Sequence, residues 1–185
     1  MNAFWAYFWP VFGVGLIAGI LAGSIGFRSP RIGVKATPEL REIAVQRWRR
    51  RRLIALPAGA GAAIIAAALW HGPMGAAARF TAEVERSARQ VLIDNNAPAG
   101  MTARIHHGPL TRQLILSGPA NDFQQAESTR LLGQVPGVSD AGWTPSSGAP
   151  LIVEGVGAAL LGFLFGLVLA YLVELRRRYN AQWNW

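Results

Sequence analysis

Residues 47–71 read RWRRRRLIALPAGAGAAIIAAALWH, and the abrupt change at Leu53 decides how the chain folds. Five arginines lie within Arg47–Arg52, and the 18 residues Leu53–Trp70 that follow contain no Lys, Arg, Asp or Glu. That is close to the shortest helical run that crosses a hydrocarbon core of ~30 Å. Its alanines are nearly neutral for insertion, and Pro57 sits one turn in, where a lost backbone hydrogen bond costs little. A long soluble helix is the competing reading. The flanks decide against it, because without a span here the two basic segments of the chain would fall on opposite sides of a bilayer.

Working outward, Phe4–Phe27 is a second apolar run with no charged side chain, and Leu151–Val173 is a third, interrupted only by Glu154. Both are long enough to span with some tilt. A cleaved leader would need a basic n-region before a short apolar core; Met1–Phe27 carries no base, so an uncleaved span is expected. The whole chain has 185 residues, 51% hydrophobic and 15% charged, with no cysteine and a net charge of +8. Disordered and disulfide-stapled classes are thereby excluded. The expected class is a mainly α membrane protein with three transmembrane helices and a small α+β domain inserted between the second and third. The expected segments are residues 1–27 for helix 1, 28–52 for a basic loop with a short helix, and 53–78 for helix 2. Residues 79–145 form the inserted domain, 151–175 helix 3 and 176–185 a basic, aromatic tail.

Charge distribution sets the direction of the spans. Arg28–Arg52 carries nine Lys or Arg against two acids, whereas the insert has six of each. Arg176, Arg177 and Arg178 follow the third span. By the positive-inside rule, Arg49, Arg50, Arg51, Arg52 and the tail arginines face the cytoplasm. The N-terminus and the insert then face the periplasm of a bacterial inner membrane. Tryptophans fit this map: Trp5, Trp9 and Trp70 fall at the outer ends, and Trp48, Trp183 and Trp185 at or beyond the inner ends, where amphipathic rings meet headgroups. The lipid bilayer is therefore the first expected partner. The helix starting at Thr37-Pro38-Glu39 places Leu40, Ile43, Ala44 and Arg47 on one face, suited to an anionic leaflet. Nucleic-acid binding is the weaker reading of this basic run, since topology alone requires arginines beside a span.

Small residues recur four apart in two spans: Gly15, Gly19 and Gly23 in the first, and Ala158, Gly162, Gly166 and Ala170 in the third. Such stripes let backbones approach closely, and packing drives helix association in lipid. They can meet each other or meet a foreign subunit. Glu154 and His71 lie at the same expected depth near the outer boundary and form a candidate ionisable pair. No further acid or histidine lies deeper, which argues against a proton path.

The insert changes pattern. Phe80, Val84, Ala88, Val91 and Leu92 have helical spacing, and Asp94–Pro98 ends that helix. Thr102–His107 alternates as a strand, Gly108-Pro109 turns, and Leu114–Leu116 is a second strand. Asn121 and Gln124 make a capping-box signature for a helix through about Val135, and Val138–Trp143 forms a last strand. The order is α-β-β-α-β.

That order, with Leu114-Ile115-Leu116-Ser117-Gly118 and then Val135-Pro136-Gly137-Val138, resembles a BON domain, the small module named for bacterial osmotically inducible and nodulation proteins. The resemblance covers Glu83 to Trp143. The chain departs from the family pattern in a longer turn, His106 to Gln113, and in Pro119-Ala120-Asn121 before the second helix. The resemblance implies a periplasmic module that binds phospholipid or envelope partners, without catalysis, and assigns no binding residue.

Catalytic constellations are not found. His106 and His107 are adjacent strand residues and point to opposite faces, so they make a poor metal pair. Ser117, Ser128, Ser146 and Ser147 lack a His–acid framework. No glycine-rich phosphate loop is present. His71 reads as an interfacial histidine rather than an axial haem ligand, and no metal or cofactor is expected. The expected function is a non-enzymatic accessory, stabilising or assembly subunit of a larger membrane complex, respiratory or photosynthetic. Other integral membrane subunits and a periplasmic protein or phospholipid would be its partners. A free-standing envelope protein whose insert binds phospholipid, or a small transport or channel component, is the alternative.

Overall fold

Two prolines lie inside helices without ending them, and a third opens one. The structure, a computed structural model, describes residues 3–28, 30 and 37–183. Helix α1 (Ala3–Gly26) continues through Pro10, and α2 (Pro38–His71) begins at a proline, whose fixed φ suits the first helical turn. Thr37 caps α2 as its sequence suggests, with the Leu40 amide donating to Oγ1 at 3.4 Å. After α2 come α3 (Ala76–Asp94), β1 (Thr102–His107), β2 (Leu110–Ser117), α4 (Asp122–Leu132), β3 (Asp140–Gly142) and α5 (Leu151–Trp183). Helices α1, α2 and α5 are long and apolar enough to cross a membrane. The chain is mostly helical with one small three-stranded sheet, and it is consistent with a multi-pass membrane protein.

Several expected boundaries move. The second span is not a helix of residues 53–78: it is the later part of α2, which starts at Pro38 and stops at His71. No glycine or proline separates Glu39 from Leu56, so a helix begun at Pro38 has no backbone reason to break where charge gives way to alanine. It ends at Gly72-Pro73, where a turn is closed by the Gly75 amide donating to the Gly72 carbonyl at 2.8 Å. Likewise the helix of 151–175 does not stop before the tail but runs on through Arg176–Arg178 to Trp183. Helix α4 ends at Leu132 rather than near Val135, and the last strand is three residues long. The long turn expected over His106–Gln113 is only Gly108-Pro109, joined by a cis peptide bond, because β2 pairs back as early as Leu110 with His107.

The chain divides into two units, one of Met1–Trp9 with Ala68–Gly155 and one of Pro10–Ala67 with Val156–Trp185. In the second unit, the stripes of α1 and α5 meet. A Cβ on Gly15 would overlap the Ala159 carbonyl oxygen, one on Gly19 that of Phe163, and one on Gly23 would stand 2.6 Å from the Ala170 Cβ. From the other side, Gly162 faces the Phe12 carbonyl and Gly166 that of Leu16. The order of these contacts makes α1 and α5 parallel. Helix α2 runs antiparallel beside them, with Gly59 against Ala22 and Phe163, and Gly26 against Leu56. Ala63 and Ala67 of α2 are buried, while Ile17, Leu21, Leu164 and Val168 remain exposed as a lipid-facing surface requires.

In the first unit the sheet has the order β1-β2-β3, antiparallel between β1 and β2 and parallel between β2 and β3. Period-2 alternation in β2 buries Leu114 and Leu116 together with Phe80, Val84 and Ala88 of α3 and Leu132 of α4. Thr111 and Gln113 of β2 are buried as well, and the Gln113 amide is satisfied by the Thr144 carbonyl at 3.1 Å and the Ser146 amide at 2.8 Å. Glycine is required twice: Gly118 has φ +126° with its Cβ direction 2.6 Å from the Gly100 carbonyl, and Gly137 has φ +102° against Phe80 and Val84.

Candidate functional site

The first unit gathers polar side chains where the ends of α1, α2 and α5 meet the insert's own elements. Tyr7 is the single phenol in an otherwise apolar first span. Its hydroxyl lies 2.8 Å from His71 Nδ1 and 3.4 Å from the Leu151 carbonyl oxygen. One arrangement satisfies both contacts: Nδ1–H donates to the phenolic oxygen, and the phenolic O–H donates to Leu151. Gly155 leaves room for it, since a Cβ there would stand 2.8 Å from the hydroxyl. Trp70 Nε1 donates to the Tyr7 carbonyl at 3.0 Å, and Trp70 is itself covered by the Arg79 guanidinium 5.4 Å above its ring.

Beside this network, Arg112 on β2 holds Glu154 on the first turn of α5. Its Nε lies 2.8 Å from one carboxylate oxygen and 3.1 Å from the other, with both side chains about a quarter exposed. The same guanidinium sits 4.8 Å over the Phe4 ring. The expected His71–Glu154 pair is therefore corrected: each group has a different partner, His71 the phenol and Glu154 the arginine. Equal depth along a helix does not bring two side chains together; azimuth decides that, and Tyr7 and Arg112 hold the facing positions. Neither Tyr7 nor Arg112 stands out in the sequence. A lone phenol inside an apolar run was the one available signal.

Two clefts open on this unit. One of about 250 Å³ is lined by Ala3, Tyr7, Trp70, Arg79, Phe80 and Glu83. The other, about 400 Å³, lies between α3 and α4 with Val91, Leu92, Leu131 and Phe123 on its walls, and Phe123 is 78% exposed. On the wall of this second cleft, Glu127 pairs with Arg130 of α4 through two bonds of 2.6 and 3.0 Å. This hydrogen bonding holds the Glu127 carboxyl below the usual carboxylate range. His107 lies 4.0 Å from Glu85, whose carboxylate also accepts the Ile105 amide. Among the described residues no three His, Cys, Asp or Glu side chains converge as metal ligands would.

The residues expected at the membrane interface are distributed as follows. Trp5 and Trp9 are exposed and stacked on each other, ring centroids 5.5 Å apart. Arg49–Arg52 line exposed positions of α2 in the second unit. There Arg52 lies over both Phe27 and Trp48, and Arg178 donates to the Phe27 carbonyl at 3.0 Å. Loop and tail arginines thus converge on one end of the three apolar helices. Arg176 and Arg177 are exposed on α5. The Trp183 side chain and Trp185 lie outside the described residues. Gly15, Gly19, Gly23, Gly162, Gly166 and Ala170 lie in the α1–α5 contact, and Ala158 is buried. Gly59 of α2 meets Ala22 and Phe163, and the burial of Ala63 and Ala67 was not anticipated, because alanine-rich sequence shows no single stripe. Comparison with protein-family models, curated proteins and solved structures finds no match to this chain.

Proposed function

We propose that this chain is a non-enzymatic accessory, stabilising or assembly subunit of a larger complex in the bacterial inner membrane, respiratory or photosynthetic. Its N-terminus and insert would face the periplasm and its basic segments the cytoplasm. The observation that carries this reading is the open α3–α4 groove of about 400 Å³ beside an exposed Phe123. An uncovered aromatic next to a groove on a charge-balanced domain suits a protein partner. The polar groups near the membrane support it too. Tyr7 is bonded to His71 and Arg112 to Glu154, so these groups are held in structural pairs, which suits a scaffold more than a carrier.

Purification in mild detergent tests the proposal. Co-migration of other membrane subunits on a native gel, lost in Phe123→Ser, is the expected result. A lone or self-oligomeric species would overturn it. The BON-like pattern of the insert favours a second reading, in which the same groove takes phospholipid in a free-standing envelope protein. Vesicle flotation separates the two: dependence on Phe123 in flotation, without co-purifying subunits, selects lipid.

A further inference from the structure

Within the second unit, a cleft of about 730 Å³ opens between the end of α1 and the first turns of α2. Arg28, Arg47 and Arg51 line it with Ile25, Ile43 and Trp48. We propose that this cleft is a binding site for an anionic phospholipid, whose phosphate is held by the three arginines and by the Trp48 indole N–H.

Spacing on α2 builds the site. Ile43, Arg47 and Arg51 repeat four apart, and Trp48 falls between them, so guanidiniums and apolar walls share one face. All three arginines are exposed, and among the described residues none pairs with a carboxylate. Guanidiniums match phosphate oxygens with paired N–H donors. A second observation is independent of charge. Trp48 Nε1 is buried yet meets no acceptor among the described residues, while its ring face is already covered by Arg52 at 5.8 Å. A buried donor without an acceptor costs stability, and a phosphate or ester oxygen in the cleft would satisfy it. The apolar side chains distinguish a lipid from a free anion. Ile25 and Ile43 are exposed on the walls, where acyl chains would cover them.

The test uses the full chain in neutral detergent, titrated by native mass spectrometry with phosphatidylglycerol, phosphatidylcholine of the same acyl chains, and inorganic phosphate. Phosphatidylglycerol should bind about ten-fold tighter than phosphatidylcholine, and inorganic phosphate should neither bind nor compete. Arg47→Gln with Arg51→Gln should abolish the preference. Arg49→Gln with Arg50→Gln removes the same charge outside the cleft and should preserve it. Trp48→Phe should weaken binding about three-fold with unchanged helix content. Equal losses in the two double variants, no preference between the lipids, competition by inorganic phosphate, or a Trp48→Phe variant that binds like the wild type would each overturn the proposal.

Discussion

Gly162 on α5 faces Phe12 on α1 so closely that a Cβ at Gly162 would overlap the Phe12 carbonyl oxygen. The contact is backbone on backbone and no side chain can rotate away. Gly162→Leu should therefore separate the helices and destabilise the isolated chain by more than about 2 kcal/mol. Gly166→Leu, against the Leu16 carbonyl, should do the same. Gly13 and Gly157 have nothing within 4 Å of a Cβ, and Gly→Ala at either should be neutral or stabilise by up to about 1 kcal/mol. Unfolding in a dodecyl sulfate titration of the purified protein measures all four. A Gly162→Leu variant that unfolds like the wild type would show that α1 and α5 do not depend on this contact.

This contact also marks where sequence reading succeeds and where it stops. The two stripes were visible because spacing along a helix is local. Whether they meet each other or a stranger is a question of azimuth, which composition does not carry. The same division holds elsewhere. Asn121 and Gln124 bond each other's backbone amides at 2.8 and 3.0 Å, a pairing legible from a three-residue separation. His71 finds Tyr7 64 residues away, and Arg112 finds Glu154 across 42. Those distances in sequence leave no periodic trace. Helix ends failed for another reason: the step from arginine to alanine at Leu53 marks a change of solvent, not of backbone, so α2 ignores it.

Tyr7→Phe tests the phenol. The ring stays, but the His71 Nδ1 atom and the Leu151 carbonyl lose their shared partner, which should cost about 1–3 kcal/mol. His71→Phe in the same background should then add less than it does alone, because the bond between them is already gone. Additive losses in the dodecyl sulfate titration would mean that the 2.8 Å contact contributes nothing to stability.

Arg112 and Glu154 are held at 2.8 Å with both side chains about a quarter exposed, more sheltered than an ordinary surface pair. A double-mutant cycle with Arg112→Gln and Glu154→Gln should return a coupling of about 1–2 kcal/mol, above the exposed-pair range. If Glu154 serves structure, proton or ion flux in liposomes should remain at leak level in wild type and Glu154→Gln alike. Flux that is present in the wild type and vanishes in the variant would move Glu154 from anchoring to transport.

Glu127 gives a pH prediction whose sign follows from its partner. Hydrogen bonding by Arg130 favours the charged carboxylate, so folding lowers the Glu127 pKa below its ordinary 4.5. A depressed carboxyl contributes its stability above the unfolded pKa and loses it as pH falls through the folded one. The Arg130 and Glu127 side chains are open to solvent over about half their surface, 59% and 42%, so the contribution should shrink in high salt. Carbon-13 carboxyl titration of the full chain should place the Glu127 midpoint below 4.5 in low salt and return it toward that value in Arg130→Gln. Asn121→Ala, which removes the cap at the other end of α4, should cost about 1 kcal/mol without moving that midpoint. A midpoint that follows the cap rather than Arg130 would trace the depression to the fold of α4 instead of to the guanidinium.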